Sequence, residues 1–572
     1  MGILAYADDL AICMSGSNIK FLGKKIQEYL NELNTWFEKW GFTLSQTKTI
    51  PMLFTKHPAP PYPVIKLKDT QLHYSKTYKF LGVIFDSKLQ WHYHIENVIK
   101  KTKRKTNFLR CLSGTNWGSS TNTLLMIYRS YIRSVFDYGC EAYDSAADTV
   151  KKPLDSIQYQ ALKICTGTLP LTPLVALQLE TGEMPLDLRR QMLAEKFKIS
   201  IQRIPNHPLK TQINPCWQFE YIKNKKCNKP FGLRTSEIDI LNIEPILPKA
   251  LPPWHLDTSN VSFELKQHIS KTDSPHLMLQ YTQEIIRKKW SSQLHIYTDG
   301  SVIPMKNIAA AAFWVPAFEY KQSKRLAYAS SSMNAELAAI ILSLYWLEQL
   351  NLYTGAVIFS DSLSGLSAIQ NSKEEEFVNE ILILLTHLKH KGIQVNFEWI
   401  PAHCGHNENE AVDYFAKQGL SKQIEIFNKT TYNTEKQNIT NKTKEKWQER
   451  WTESHSPLKE IHPSVHNNFS ISLSRKEEKI IHRLRTGVIG LNEDLQRMGR
   501  HENGHCNNCK ETETIQHFLV TCPLYTIPRA MLITETNLTD ACLIPTLLKS
   551  QNSNTQRALA RYVSRTNRLL TN

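Results

Sequence analysis

The sequence predicts a multidomain protein whose central part is an α/β domain, a five-stranded mixed sheet with flanking helices. At roughly 150 residues per domain, the 572 residues of the chain are enough for about three or four domains. Hydrophobic residues make up 41% of the chain, so sizeable cores can form. Between residues 294 and 420, patterns follow in the order strand, strand, strand, helix, strand, helices, strand, helix. This order is typical of a mixed sheet covered by helices.

Each element of the central domain is predicted from its own pattern. Short apolar or β-prone runs predict strands at Leu294–Tyr297, Ala309–Val315, Arg325–Ala329, Ala356–Phe359 and Val395–Ile400. Helical spacing predicts one face formed by Leu337, Ile340, Ile341, Leu344 and Leu347. A further helix is expected at Val378–Leu388, and a last one after the final strand.

The flanking segments differ in character. The first ~55 residues predict strand, tight acidic turn, strand and helix, and residues 78–188 are mostly helical in pattern. Prolines accumulate between Gln191 and Ser291, as expected of a connector. We therefore predict five segments: 1–75, 76–190, 191–290, 291–425 and 426–572.

Charge and composition restrict the partners of the chain. Its 69 basic and 53 acidic residues give a formal charge of +16, which favours a polyanion such as nucleic acid. The basic run Lys100–Lys105 on a predicted helix fits a phosphate backbone, and it fits equally well a solvated helix face or a nuclear-import patch. No apolar stretch reaches the ~18 residues of a membrane span, and no signal peptide is recognisable. We expect an intracellular protein, in the nucleus or cytoplasm and not secreted.

Four carboxylates stand where strand ends and helices can bring them together. Asp299 follows the first strand, Glu336 opens the first helix, Asp361 ends the central strand and Asp413 lies on the last helix. Two-metal phosphodiester hydrolysis needs several carboxylates around one point, with the ions ~4 Å apart. Taken singly, each has a structural explanation: a turn, a helix-dipole contact or a helix cap.

Together, these carboxylates resemble the catalytic set of the ribonuclease H type 1 family over about 130 residues. The segment 399–413, with sequence WIPAHCGHNENEAVD, is similar to the loop and final helix of that family, and His403 falls at its mobile histidine. The resemblance implies that Asp299 bridges two ions, that Glu336 and Asp361 complete one of them, and that Asp413 holds the other. It also implies that His403 assists proton transfer or product departure while water attacks the phosphorus.

The resemblance implies an RNA–DNA hybrid as the substrate. An all-oxygen ligand set favours Mg²⁺, and Mn²⁺ is expected to work as well. Small polar side chains at Ser332, Asn334 and Ser362 are candidates for contacts with 2′-hydroxyls. The chain departs from several family members at residues 372–376, where the acidic sequence SKEEE replaces a basic protrusion.

The beginning of the chain resembles another family. Tyr6, Ala7, Asp8 and Asp9 resemble the metal-binding hairpin of a reverse transcriptase palm. The segments 36–41, 44–49 and 80–83, and Pro252–Trp254, resemble jockey-type non-LTR retrotransposon polyproteins. The third palm aspartate and the nucleotide-binding fingers would precede Met1. We therefore expect a truncated polyprotein with a palm remnant and a thumb-like helical region. Asp8 and Asp9 are then relics, and reverse transcriptase activity is not expected.

A cysteine-histidine group lies near the far end of the chain. Cys506, Cys509, His517 and Cys522 give three thiolates and one imidazole, a set that tetrahedral structural Zn²⁺ prefers. Reduced cysteines packed in a small apolar knot are the alternative. The other cysteines are scattered, as in a reducing compartment. The pattern resembles the motif found after the nuclease in such elements, and it predicts a zinc module within a mainly helical tail.

The sequence thus predicts an endoribonuclease that cuts the RNA strand of hybrids. A catalytically silent, nucleic-acid-binding remnant is the alternative, and a transposase or integrase on a similar sheet is a third possibility that strand joining would reveal. Expected partners are an RNA–DNA hybrid, single-stranded RNA or DNA, and a full-length polymerase of the element.

Overall fold

A computed structural model describes most of the chain. The described residues are 2–55, 61–114, 117–204, 206–213, 230–235, 261–270, 273–306, 308–326, 331–350, 355–373, 375–421, 425–427, 429–454, 456–465, 471–538 and 543–569. The motif Pro252–Trp254 and many of the connector prolines lie outside them. Among the described residues, no helix combines the length and apolar character that a membrane span requires.

The secondary structure follows the chain in this order. The strands are β1 (Gly2–Tyr6), β2 (Asp9–Cys13), β3 (Lys66–Leu67), β4 (Thr70–Gln71), β5 (Thr77–Phe80), β6 (Val83–Asp86), β7 (Val261–Ser262), β8 (Leu294–Ile303), β9 (Ile308–Val315), β10 (Tyr320–Leu326), β11 (Gly355–Ser360), β12 (Gln394–Trp399) and β13 (Ile426–Phe427). The helices are α1 (Ile19–Lys39), α2 (His92–Cys111), α3 (Thr121–Ile127), α4 (Ser134–Asp137), α5 (Cys140–Tyr143), α6 (Asp148–Thr166), α7 (Leu174–Thr181), α8 (Leu186–Arg203), α9 (Lys210–Ile213), α10 (Phe231–Arg234), α11 (Leu265–His268), α12 (Pro275–Lys289), α13 (Ser332–Gln349), α14 (Leu363–Gln370), α15 (Glu376–His390), α16 (Asn407–Gln418), α17 (Tyr432–Glu453), α18 (Arg475–Arg485), α19 (Asn492–Arg497), α20 (Thr526–Thr536), α21 (Leu543–Lys549) and α22 (Ser553–Arg565). The segments Tyr128–Arg133 and His517–Thr521 are π-helical.

The chain divides into two compact units. The first comprises Met1–Ala194, Lys223–Phe231 and Thr443–Asn572, and the second comprises Glu195–Ile222 and Gly232–Lys442. The first unit therefore takes in both ends of the chain, and the second contains the predicted α/β domain.

The second unit contains a mixed sheet that is wider than predicted. Its strand order is β13-β10-β9-β8-β11-β12-β7, so the five predicted strands form the centre and a two-residue strand is added at each edge. Strands β8, β9 and β10 form an antiparallel meander, whereas β11 and β12 run parallel to β8. The third strand begins at Tyr320, five residues before the predicted start at Arg325, and residues 327–329 lie outside the described part.

Alternation along the strands distributes the core over both faces of this sheet. Ala356 and Ile358 of β11 pack in the cluster that contains α13, α14 and α15, while Val357 and Phe359 pack in a second cluster. That second cluster includes Val412 of α16. Because every other side chain of a strand points to the same face, β11 is buried on both sides. The multidomain α/β class predicted from the sequence is thus observed.

The first unit begins with the predicted strand, turn, strand and helix. Strands β1 and β2 pair antiparallel with Tyr6 opposite Asp9. Further along this unit, buried charges join its early and late segments: Glu180 accepts hydrogen bonds from Arg485 at 2.9 Å and pairs with His482 at 2.6 Å. Burial opposes ionisation of this carboxylate, but Arg485 and His482 lower the pKa of Glu180 to about 2.

Candidate functional site

Three carboxylates meet where β11 ends beside the middle of β8, which continues past Asp299 to Ile303 instead of ending before it as predicted. Strands β8 and β11 are adjacent and parallel with Thr298 opposite Ser360, so the next residues, Asp299 and Asp361, lie side by side. Glu336 projects from the start of α13. Carboxylate oxygens of Asp299, Glu336 and Asp361 all lie within 4.8 Å of one another.

A glycine permits this convergence. A Cβ atom at Gly300 would lie 2.4 Å from the backbone nitrogen of Glu336 and 2.5 Å from the carbonyl carbon of Ala335. Both atoms belong to the backbone, so neither can move aside without shifting α13. The absence of a side chain at position 300 therefore brings the helix close enough to β8 for Glu336 to reach Asp299.

The three carboxylates repel one another in a buried place. Burial, together with the Asp361 and Asp413 carboxylates, raises the pKa of Asp299 to about 7. Burial and the same kind of repulsion raise the pKa of Glu336 well above its usual range. The atom Oε2 of Glu336 is buried and has no hydrogen-bond partner among the described residues. A buried oxygen that lacks a donor, within a group of carboxylates that repel one another, fits a bound cation, and a hard divalent ion suits this ligand set.

The fourth predicted carboxylate lies beside the group rather than within it. Asp413 of α16 is outside the set of mutually close oxygens, although its charge contributes to the raised pKa of both Asp299 and Asp361. Its Oδ2 atom accepts a hydrogen bond from Nζ of Lys417 at 2.6 Å. Sequence reasoning missed Lys417, although the spacing of four residues on a predicted helix is the signal that would have found it.

Two further side chains bear on Asp361. His403 is exposed and lies in the loop between β12 and α16, with a positive φ of 51°. Burial raises the pKa of Asp361, and the charge of His403 lowers it. The buried side chain of Asn409 also lowers the pKa of Asp361. Sequence reasoning missed Asn409, which stands one helical turn before Asp413. In addition, Nε1 of Trp399 donates to the backbone oxygen of Asp361 at 3.1 Å.

The three predicted contacts to 2′-hydroxyls fall in different environments. Ser332 is exposed. The side-chain nitrogen of Asn334 is instead used inside the unit, where it donates to Thr431 at 3.2 Å and to Thr434 at 3.3 Å. The hydroxyl of Ser362 caps α14 by accepting from the backbone nitrogen of Gly365.

The four predicted zinc ligands come together in the first unit. The Sγ atoms of Cys506 and Cys509 each lie 3.9 Å from that of Cys522, and Sγ of Cys509 lies 3.1 Å from Nε2 of His517. A tetrahedral Zn²⁺ with Zn–S bonds of about 2.3 Å separates its sulfur ligands by about 3.8 Å. The spacing of the sulfur atoms therefore fits the ion.

Surrounding groups orient this cluster. The backbone nitrogen of Cys506 donates a hydrogen bond to the backbone oxygen of Glu511 at 2.7 Å, which closes a tight turn. Burial raises the pKa of the Cys506 thiol, but hydrogen bonds from backbone N–H groups of Cys509 and Asn508 bring it down to about 7. On the far side of the imidazole, Nδ1 of His517 lies 3.0 Å from a carboxylate oxygen of Glu511, which leaves Nε2 directed at the thiols. This carboxylate–imidazole arrangement is common around metal-binding histidines.

Asp8 and Asp9 lie in a different situation. Asp8 lies in the turn between β1 and β2, Asp9 is the first residue of β2, and both are exposed. Within the described part of the chain, they belong to no group of three or more residues close enough to hold a metal ion.

The fold and the converging carboxylates of the second unit define a nuclease domain of the RNase H class. The RNase H family model matches residues 291–421, so this part of the chain is an RNase H domain. The chain is also similar to retrotransposon proteins. It is 27% identical over 197 residues to a putative 115 kDa protein in the type-1 retrotransposable element R1DM of Drosophila melanogaster, covering 34% of this chain and 19% of that protein.

Two other relatives carry similar names. The RNA-directed DNA polymerase from the mobile element jockey of Drosophila melanogaster is 24% identical over 201 residues, which is 35% of this chain and 21% of that protein. A Pol polyprotein from the type-1 retrotransposable element R1 2 of Nasonia vitripennis is 22% identical over 211 residues, covering 35% of this chain and 50% of that protein. The chain thus spans between about a fifth and a half of the length of these relatives.

Proposed function

We propose that this chain is an endoribonuclease that hydrolyses the RNA strand of RNA–DNA hybrids with the help of two Mg²⁺ ions. The observation that carries the proposal is the group of three carboxylates with oxygens within 4.8 Å, one of them buried without a hydrogen-bond partner among the described residues. Mn²⁺ is expected to replace Mg²⁺.

Each residue has a distinct part in this proposal. Asp299 would contact both ions, Glu336 and Asp361 would complete one, and Asp413 would hold the other. When bound, such ions activate water and stabilise the charge that develops on the phosphate. His403 is exposed on its loop, where an imidazole can carry a proton to the departing oxygen. Asn409 lowers the pKa of Asp361 and would thus help to keep this carboxylate ionised.

For the rest of the chain we propose the following roles. Cys506, Cys509, His517 and Cys522 hold a structural Zn²⁺, and their interatomic distances support this assignment. The hairpin bearing Asp8 and Asp9 belongs to a segment that resembles a reverse transcriptase palm. The five segments are then this palm-like segment at 1–75, a thumb-like region at 76–190, a connector at 191–290, the nuclease domain at 291–425 and a C-terminal region at 426–572. A full-length polymerase of a related element is the proposed protein partner.

The decisive experiment is Mg²⁺-dependent cleavage of a labelled RNA–DNA hybrid by the purified chain. Asp361→Asn removes one proposed ligand charge and should reduce the cleavage rate by about 10³-fold or more, because metal ions supply several kcal/mol of transition-state stabilisation. Asp148→Asn is the matched control, since the Asp148 side chain is 96% exposed and lies on α6. Single-stranded and double-stranded RNA should remain intact.

Other outcomes would contradict the proposal. If the folded chain binds the hybrid but leaves it intact at saturating Mg²⁺ and Mn²⁺, the silent nucleic-acid-binding remnant becomes the better interpretation. Equal cleavage by the Asp361→Asn variant would show that the activity comes from elsewhere or from a contaminant.

A further inference from the structure

Helix α2 carries a concentration of positive charge that the nuclease proposal does not use. Its 20 residues include six lysines and arginines and a single acid, Glu96. Ile95, Val98 and Leu109 are buried in the core of the first unit, so the opposite side of the helix faces solvent. That side presents Lys100, Lys101, Lys103, Arg104 and Arg110, all of them exposed.

Aromatic rings lie beside these cations. Phe108 of α2 packs edge to face against Tyr131 of the π-helical segment, with 5.9 Å between ring centroids. Both rings keep much of their surface in solvent: Phe108 is 52% exposed and Tyr131 is 44% exposed. Apolar rings half-exposed on a charged surface are costly to leave in water, and they offer faces on which another planar group can stack.

Lys105 links the cations of α2 to the aromatic rings, because its side chain packs against Tyr131. Its Nζ atom lies 4.0 Å from the centroid of the Tyr131 ring and donates a hydrogen bond to the Tyr131 backbone oxygen at 2.9 Å. The cation is thereby held against the ring rather than extended into water. Burial and the neighbouring Lys101 ammonium lower the pKa of Lys105, which shows that positive charge is crowded here. A polyanion would relieve this repulsion.

We propose that this surface, formed by Lys101, Arg104, Lys105, Phe108 and Tyr131, binds single-stranded nucleic acid without strong sequence preference. Cations beside exposed rings are what single strands require, since the cations follow the phosphates and unpaired bases stack on the rings. A duplex hides its base faces and would use the charges alone. A solvated helix face or an import signal would use the lysines and leave the rings without a role. The surface belongs to the first unit and the nuclease carboxylates to the second, so the two proposals rest on different residues.

The test is fluorescence anisotropy of the full chain with labelled 15-nucleotide oligo(U) and oligo(dT) from 50 to 200 mM NaCl. Lys101→Gln with Arg104→Gln should weaken binding about tenfold at the lowest salt and reduce the salt slope by roughly 0.7 per lost phosphate contact. Phe108→Ala should weaken binding by about tenfold at every salt concentration and leave the slope unchanged, because it removes stacking and no charge.

Helix α1 of the same unit supplies matched controls. Phe21 there is 57% exposed, and Lys20 and Lys24 are exposed as well. Phe21→Ala and the double change Lys20→Gln with Lys24→Gln should leave both affinity and slope unchanged. If Phe108→Ala does not fold, as circular dichroism would show, Phe108→Leu keeps the apolar bulk while removing the ring.

Several results would overturn the proposal. They are an absence of binding by the unchanged chain, equal effects of the α1 and α2 variants, or affinity unaffected by loss of the Phe108 ring. Equal loss of affinity for a 15-base-pair duplex in the Phe108 variant would also exclude base stacking as the cause. Preference for oligo(U) over oligo(dT), or the reverse, identifies which kind of strand the surface takes, and either result supports it.

Discussion

The two candidate metal sites solve the same electrostatic problem in different ways. Both crowd groups that are negative when ionised. In the Cys/His cluster, backbone N–H groups bring the pKa of the Cys506 thiol down to about 7 and Glu511 orients His517, whereas burial and the neighbouring cysteines raise the pKa of Cys522 to about 12. In the carboxylate group, Glu336 Oε2 remains buried without a hydrogen-bond partner among the described residues, and the pKa values of Asp299, Glu336 and Asp361 are all raised. The first site thus lowers the pKa of one candidate ligand and raises that of another, whereas the second raises the pKa of all three carboxylates, a repulsion that a bound cation would relieve.

The largest expected effect is the loss of stability when a ligand of the Cys/His site is removed. Cys522→Ala removes a buried ligand and should lower the free energy of unfolding of the first unit by about 3 to 5 kcal/mol, because structural zinc binding is coupled to folding. Chemical denaturation measures the loss of stability, and metal analysis of the purified chain measures the loss of zinc. Cys111→Ala, at an exposed cysteine outside the cluster, is the control. Unchanged stability in the Cys522 variant, with or without chelator, would argue for a metal-free knot. Hybrid cleavage should persist, since the carboxylates belong to the other unit.

The second prediction concerns the pH dependence of the carboxylate site. The pKa of Asp299 is raised to about 7 from an ordinary value of 3.8, so protonation favours the folded state. That contribution is fully present below about pH 4 and is lost as the pH rises towards 7, by up to about 4 kcal/mol. In EDTA, the free energy of unfolding of the second unit should therefore fall over this range, and Asp299→Asn should flatten the fall. Excess Mg²⁺ should also reduce this loss of stability near pH 7. A flat profile for the unchanged chain in EDTA would contradict the stored repulsion.

The third prediction disturbs the site without touching a carboxylate. Gly300→Ala places a Cβ atom against the α13 backbone, and relief of that clash should cost about 2 to 3 kcal/mol of stability and most of the cleavage activity. Gly355→Ala is the matched control, because the nearest atom to its Cβ lies 3.7 Å away. Full activity of the Gly300→Ala variant would mean that Glu336 need not approach Asp299 closely.

The smallest expected effect concerns Lys417. Its ammonium pairs with Asp413 at 2.6 Å and so competes with any cation for that carboxylate. Lys417→Met should lower the Mg²⁺ concentration for half-maximal cleavage by about two- to threefold, since exposed ion pairs contribute little. Lys288→Met breaks an exposed pair with Glu284 that has the same spacing and contains no proposed ligand. An increased Mg²⁺ requirement would instead assign Lys417 a supporting role.

Sequence patterns predicted the central strands well where both faces are buried, as in β11, because an apolar run of that length is distinctive. The start of the third strand was predicted too late because β10 has the polar sequence YKQSKRL, with little apolar signal. The convergence of Asp299, Glu336 and Asp361 was expected from their places at strand and helix ends. The partners of Asn334 were not, because Thr431 and Thr434 lie about a hundred residues away and no local periodicity records such a contact.

The two edge strands have a practical consequence for work with a recombinant fragment. Val261 and Ser262 cover the free edge of β12, and Ile426 and Phe427 cover that of β10. A fragment trimmed to residues 291–421 would lose both strands, as well as Leu265 and Trp290 from the core cluster on one face. Open edges with unpaired N–H and C=O groups recruit other chains. A fragment that begins before Val261 and continues past Thr434 keeps these edges closed and should be the better choice for expression and crystallisation.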